Sequence, residues 1–126
     1  QGSLLFGMAG FDRPGGRVDR EVCDGDAIEI GELRLRFLST PGHTPGHQSL
    51  LVRLAQTGPV VLTGDAVHFK SNWDARVTPT MNTDATRTQA SMQKIADVLA
   101  QQKAQLWINH DKAQRDSLKM APAFYE

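Results

Sequence analysis

Five side chains in this 126-residue sequence have the types and settings that hold a divalent metal: His43, His47, Asp65, His68 and His110, which include all four histidines of the chain. Imidazole and carboxylate together suit Zn²⁺ and related ions. His43 and His47 lie in Ser39-Thr40-Pro41-Gly42-His43-Thr44-Pro45-Gly46-His47, a loop with two Pro-Gly pairs. Proline fixes φ and glycine permits a tight path, so such a loop can hold an imidazole in one orientation, as a metal centre requires. The intervals from His43 to Asp65 and from Asp65 to His110 are long, and the information lies in the local settings rather than in the spacing.

The elements that must position these residues follow from the hydrophobic pattern. Ile28 and Ile30 alternate with polar residues, Gly31-Glu32 reads as a hairpin turn, and Leu33, Leu35 and Phe37 alternate with Glu32, Arg34 and Arg36. Period two predicts a strand with one face buried and the charges on a solvated face. Residues 48–54 form a second strand candidate. Val60-Val61-Leu62, between Gly58-Pro59 and Gly64-Asp65, reads as a short buried strand. Residues 66–83 look irregular, with Asn72, Pro79 and Asn82 as breakers. Asp84 is a plausible N-cap. After it, Ala85, Met92, Ile95, Ala96, Val98 and Leu99 recur at helical spacing to about Lys103. Leu106-Trp107-Ile108 is a further strand, and residues 112–120 suit a last short helix. Residues 1–26, with a turn at Arg13-Pro14-Gly15-Gly16, read as an irregular opening segment without chemistry. His43 and His47, Asp65 with His68, and His110 each follow a strand, so three loops can open on one edge of a sheet. The order of strands, helix, strand, helix suits an α/β (α+β) architecture, a sheet with helices on one face.

Composition narrows the partners. Lys plus Arg equals Asp plus Glu at 14 each, which gives no electrostatic reason to expect nucleic acid or an anionic membrane. The expected substrate is small. No apolar run approaches the roughly 18 residues of a membrane span, and no signal peptide is visible, so the compartment stays unknown, cytoplasmic or periplasmic. A single cysteine, Cys23, excludes an internal disulfide framework and is expected as a small, partly buried apolar residue. Phe37, Phe69 and Trp107 are expected in the core, and Trp73 is a candidate for a substrate-lining surface.

The segments TPGHTPGHQS, LTGDAVHF and WINHD, in this order, resemble the later motifs of the metallo-β-lactamase superfamily. PGHTPGHQSLLV, TGDAVHF followed by Asn72-Trp73-Asp74, Ser91-Met92 and the final INHD are similar in particular to the N-acyl homoserine lactonases. The resemblance covers nearly all of residues 27–126. It implies the C-terminal half of an αβ/βα sandwich, with residues 1–126 as that half-domain, and a centre of two Zn²⁺ ions per complete domain. By the resemblance His43 binds the first metal, Asp65 bridges both and His110 binds the second. The resemblance further implies that a hydroxide shared by the metals would attack the lactone carbonyl, a quorum-quenching hydrolysis of N-acyl homoserine lactones. His47 is expected to support the site without ligating. Lactonases of this kind often carry tyrosine three residues after the bridging aspartate. His68 stands there, and is expected either to donate a hydrogen bond to the developing oxyanion or to serve structural packing. The family's His-x-His-x-Asp-His motif is absent. The chain is therefore expected to be a truncated, inactive portion that needs a preceding half-domain, and to present apolar residues to it. Rival readings are another lactone, a glyoxalase II-like thioester or a phosphotriester as substrate, or a non-catalytic fragment.

Overall fold

The computed structural model describes residues 19–126, so the Arg13–Gly16 turn and most of the opening segment lie outside the described residues. Residues 19–26 carry no strand or helix. Five strands follow: β1 (Ala27–Ile30), β2 (Leu33–Ser39), β3 (Gln48–Leu54), β4 (Gly58–Leu62) and β5 (Gln105–Trp107). They form one sheet in the order β1-β2-β3-β4-β5. The first three pairings are antiparallel, and β4 pairs with β5 in parallel. A crossover is needed for that parallel pair, and it contains α1 (Lys70–Ala75) and α2 (Ala85–Gln102). A short α3 (Lys112–Ser117) ends the fold. The mixed sheet with helices agrees with the expected fold class.

Helix α2 starts where its residues dictate. The Asp84 carboxylate accepts from the Arg87 N–H at 2.9 Å, satisfying one of the donors left free at a helix start. Its inward face of Thr88, Ser91, Met92 and Ile95 follows helical spacing. Met92 and Ile95 meet Leu38, Leu51, Val61, Val67 and Ile108 in the core. Lys103 takes a left-handed conformation, φ 50°, and closes the helix through its N–H to the Leu99 carbonyl.

The sheet is apolar on its other face too. Register places Ile28, Leu35, Val52 and Val60 in one cross-strand row and Phe37, Leu50, Leu62 and Trp107 in another. These residues alternate with the helix-facing row of Leu51, Val61 and Leu106. Both faces of these strands therefore carry apolar side chains, with Leu33 of β2 41% exposed. From the C-terminal end, Tyr125 covers part of this second face, its ring edge-on to Trp107 at 4.7 Å between centroids. Arg34, Arg36 and Arg53 lie exposed on the helix side, at the margin of the core.

Several expectations need correction. Residues 66–83 are not wholly irregular, because α1 lies within them. Trp73 of α1 packs against the core cluster rather than lining a substrate surface, and the Arg76 guanidinium sits over its ring at 4.1 Å. Phe69 is half exposed, held at the extended N-cap of α1. Cys23 is exposed, not partly buried.

Candidate metal centre

The four histidines and Asp65 converge at one end of the sheet. The loop after β2 brings His43 and His47, a single 3₁₀ turn after β4 brings Asp65, His68 follows it, and the loop after β5 brings His110. Nε2 of His110 lies 2.8 Å from Oδ1 of Asp65, and Nε2 of His43 lies 3.5 Å from Oδ2. One carboxylate therefore offers a separate oxygen to each of two imidazoles. The His68 ring stacks on His110 at 5.2 Å between centroids and stands edge-on to His43 at 5.3 Å. Donor atoms of Asp65, His68 and His110 all lie within 4.8 Å of one another. An open cleft of about 610 Å³ lies over the cluster, walled on its far side by Phe69, Pro79, Thr80 and Met81.

The tautomer of His43 follows from a chain of bonds behind it. The Thr88 hydroxyl donates to the Asp84 carbonyl at 2.8 Å, so its oxygen accepts from the Asn82 amide NH₂ at 3.0 Å. That fixes the Asn82 amide and turns its Oδ1 to Nδ1 of His43 at 3.1 Å. Nδ1 must then carry the proton. In the neutral ring Nε2 holds a lone pair, and that lone pair faces a carboxylate oxygen. Two acceptors so placed repel unless a proton or a cation lies between them. A donor set of this kind, with the second nitrogen anchored from behind, is what metal-binding histidines show. The His43 main chain is held as well, since its carbonyl accepts from the Thr83 hydroxyl at 2.8 Å.

His47 has a different task. Its Nδ1–H donates to the Thr40 carbonyl at 3.0 Å, so Nε2 is the acceptor that takes the Asp65 backbone N–H at 2.8 Å. Thr40 in turn hydrogen-bonds Ser49, whose hydroxyl donates to the Thr63 carbonyl at 2.8 Å. Gly64, at φ 55°, leaves no room for a Cβ, which would stand 2.8 Å from the same Nε2. His47 thus spends both nitrogens on holding the turn that presents Asp65. Behind His110, Asp111 caps α3 through the Gln114 N–H at 2.8 Å and accepts the Lys70 N–H at 2.7 Å. Those N–H groups, Gln114 first, hold its carboxyl below the usual carboxylate range. Asn82, Thr83 and Thr88 were not singled out by sequence as site residues. Nothing in their types marks them, and only the fold brings 82–84 against the His43 loop.

Electrostatics follow from burial and neighbours. Burial pushes the Asp65 carboxyl up, but the His110 hydrogen bond and the nearby His43, His110 and His68 rings outweigh it, so it lies below the ordinary value. For His47 and His68 burial is the largest cause and lowers both, against an upward pull from Asp65. A lowered histidine means that the unfolded chain binds more protons than the folded one near the unfolded pKa of about 6.5. Their contribution to stability is present above that pH and is lost as pH falls through it. Urea midpoints of metal-free chain should therefore be higher at pH 7.5 than at pH 5.5, and a His47→Gln variant should show a smaller fall. Equal acid sensitivity in the variant would remove His47 from this effect.

Comparison with known proteins supports the same reading. No protein-family model matches the chain. It is 37% identical over 119 residues to the N-acyl homoserine lactonase AttM of Azorhizobium caulinodans, covering 92% of this chain and 45% of that protein. It is 35% identical over 107 residues to an N-acyl homoserine lactonase of a Bacillus species, covering 85% of this chain and 42% of that protein. Among solved structures it resembles an N-acyl homoserine lactone hydrolase with N-hexanoyl-L-homoserine bound at its catalytic metal centre. The TM-score is 0.68 at 34% identity, over 79% of this chain and 39% of the other. The chain thus spans less than half the length of the relatives it matches. Among the described residues no helix is long and apolar enough to cross a membrane. In sequence and in backbone alike, the chain is similar to part of these lactonases, and it shares its fold with part of a metallo-β-lactamase from Staphylococcus aureus at a TM-score of 0.54 and 24% identity, over 84% of this chain and 31% of that one.

Proposed function

We propose that this cleft is part of a dinuclear zinc centre that opens the lactone ring of N-acyl homoserine lactones. The observation that carries the reading is the Asp65 carboxylate, which sets one oxygen toward His43 and the other toward His110. In this reading His43 would hold one ion, His110 the other, and Asp65 would serve both. When bound, zinc supplies Lewis acidity toward a carbonyl oxygen and toward water. The chain's own residues do the positioning. Asn82 keeps the His43 Nε2 lone pair turned inward, and His47 fixes the Asp65 backbone. Phe69 and Met81 are 50% and 71% exposed and give the cleft an apolar wall suited to an acyl chain.

Residues 1–126 would form the later half of one domain. The remaining ligands would come from the portion of the lactonases that this chain does not match. The sheet face formed by the Phe37 and Val52 rows would meet that portion, and turnover would need both. The test is metal content and lactone opening in a complete domain containing this chain. About two metals per chain are expected, with hydrolysis abolished by a chelator, restored by Zn²⁺, and faster on acyl homoserine lactones than on thioesters. Chelator-resistant turnover or a thioester preference would overturn the reading.

A further inference from the structure

His68 does not fit the part of a hydroxyl-like donor that its place in the sequence suggests. It is 7% exposed, and its Nδ1 is buried without a hydrogen-bond partner. An imidazole so enclosed normally finds a partner for each nitrogen, because a buried polar atom without one costs free energy. Around it stand the Asp65 carboxylate and two further imidazoles, His110 stacked on one side and His43 edge-on at another. His110 and Asp65 each direct a donor atom to the same place, and a ring nitrogen of His68 is the third corner, all three within 4.8 Å of one another. Donors about 2.0–2.1 Å from a tetrahedral zinc ion stand about 3.4 Å apart. Closing the present triangle needs shifts of about an ångström, within reach of side-chain rotation for His110, which is half exposed.

We propose that His68 is itself a metal ligand, completing with Asp65 and His110 a three-donor site that lies wholly within this chain. The proposal rests on the metal-centre reading above and changes one part of it. The ion at His110 gains a second imidazole from His68, and the nitrogen that ligates it has no proton to give to an oxyanion. It also means that the chain binds one ion with real affinity by itself, since two imidazoles and a carboxylate are the protein donors of many three-ligand zinc sites. The loop geometry supports this: Asp65 and His68 are three residues apart across the 3₁₀ turn, and His110 is placed opposite by the parallel pairing of β5 with β4.

The test uses the 126-residue chain and cobalt or zinc alone. Titration with Co²⁺ should show one tight site with the visible absorption of a nitrogen-rich, low-coordinate ion. His68→Phe should weaken that site at least tenfold, His68→Gln similarly, and circular dichroism should report an unchanged fold. A wild-type measurement needs no variant: on adding Zn²⁺, a ring ¹⁵N resonance of His68 should move together with that of His110. Unchanged affinity in both variants with an unmoved His68 resonance would overturn the proposal. If Asp65→Asn still weakened binding, the metal-centre reading would survive that result. If Asp65→Asn also bound normally, both would fall together.

Discussion

Asp65→Asn is expected to abolish metal binding while leaving the metal-free chain folded, at a modest loss of stability because the surrounding rings favour the charged carboxylate. The substitution keeps size and shape, removes the charge, and turns one of two equivalent oxygens into an NH₂ donor. Whichever way the amide sits, one of the two imidazoles loses its oxygen. The orientation with NH₂ toward His43 is favoured, because the Asn82 chain leaves Nε2 of that ring an acceptor. That orientation keeps a polar contact across the 3.5 Å gap to His43, while the charge that the neighbouring rings favour is lost. The Asp65 backbone N–H, the bond that His47 takes up, is untouched. Stability and function therefore separate. Urea midpoints should fall only modestly, metal content should fall to background, and lactone opening in a complete domain should drop by about a thousandfold or more, roughly 4 kcal/mol of barrier. A variant that unfolded instead would mean that the carboxylate serves the fold and not an ion.

How much of this could be read in advance depended on whether a residue's role is local. The alternation of Leu33, Leu35 and Phe37 with charged neighbours gave β2, because a strand with one polar face writes its period into the sequence. Asp84 announced α2, because an N-cap acts on an amide three residues away. The chemistry-bearing residues were legible as types at strand ends. Six-residue α1 was not, because only Trp73 of its residues packs against the core and so short a helix has no periodicity to show. The supports of the site were equally hidden. The Asn82 hydrogen bond to His43 spans 39 positions and the Ser91 bond to the Pro41 carbonyl spans 50. They exist only once α2 has docked on the loop. Phe69 was misread because an aromatic residue is usually buried, whereas here it closes one side of a cleft.

That docking makes the two Pro-Gly pairs of the histidine loop unequal, although they look alike in sequence. Gly42 has φ 139° and a Cβ there would stand 2.3 Å from Oγ1, 2.5 Å from N and 2.6 Å from Cα of Thr88. Two of those atoms are main chain of α2, so no rotamer relieves the overlap. Gly46 has nothing within 4 Å of the same position and no positive φ. Gly42→Ala should therefore destabilise the chain by about 3 kcal/mol, combining overpacking with an unfavourable backbone angle, while Gly46→Ala should stay within about 0.5 kcal/mol of the parent. The Gly42 change must lift the first turn of α2 away from the loop. The Asp84 N–H loses the Gly42 carbonyl, now at 2.9 Å, and Asn82 and Thr83 lose His43. Metal affinity should then fall in Gly42→Ala about 10–100-fold, as when the outer partner of a ligating histidine is removed, and hold in Gly46→Ala. Matched denaturation and Co²⁺ titration of the two variants measure both effects. Equal behaviour of the pair would mean that α2 does not brace the His43 loop.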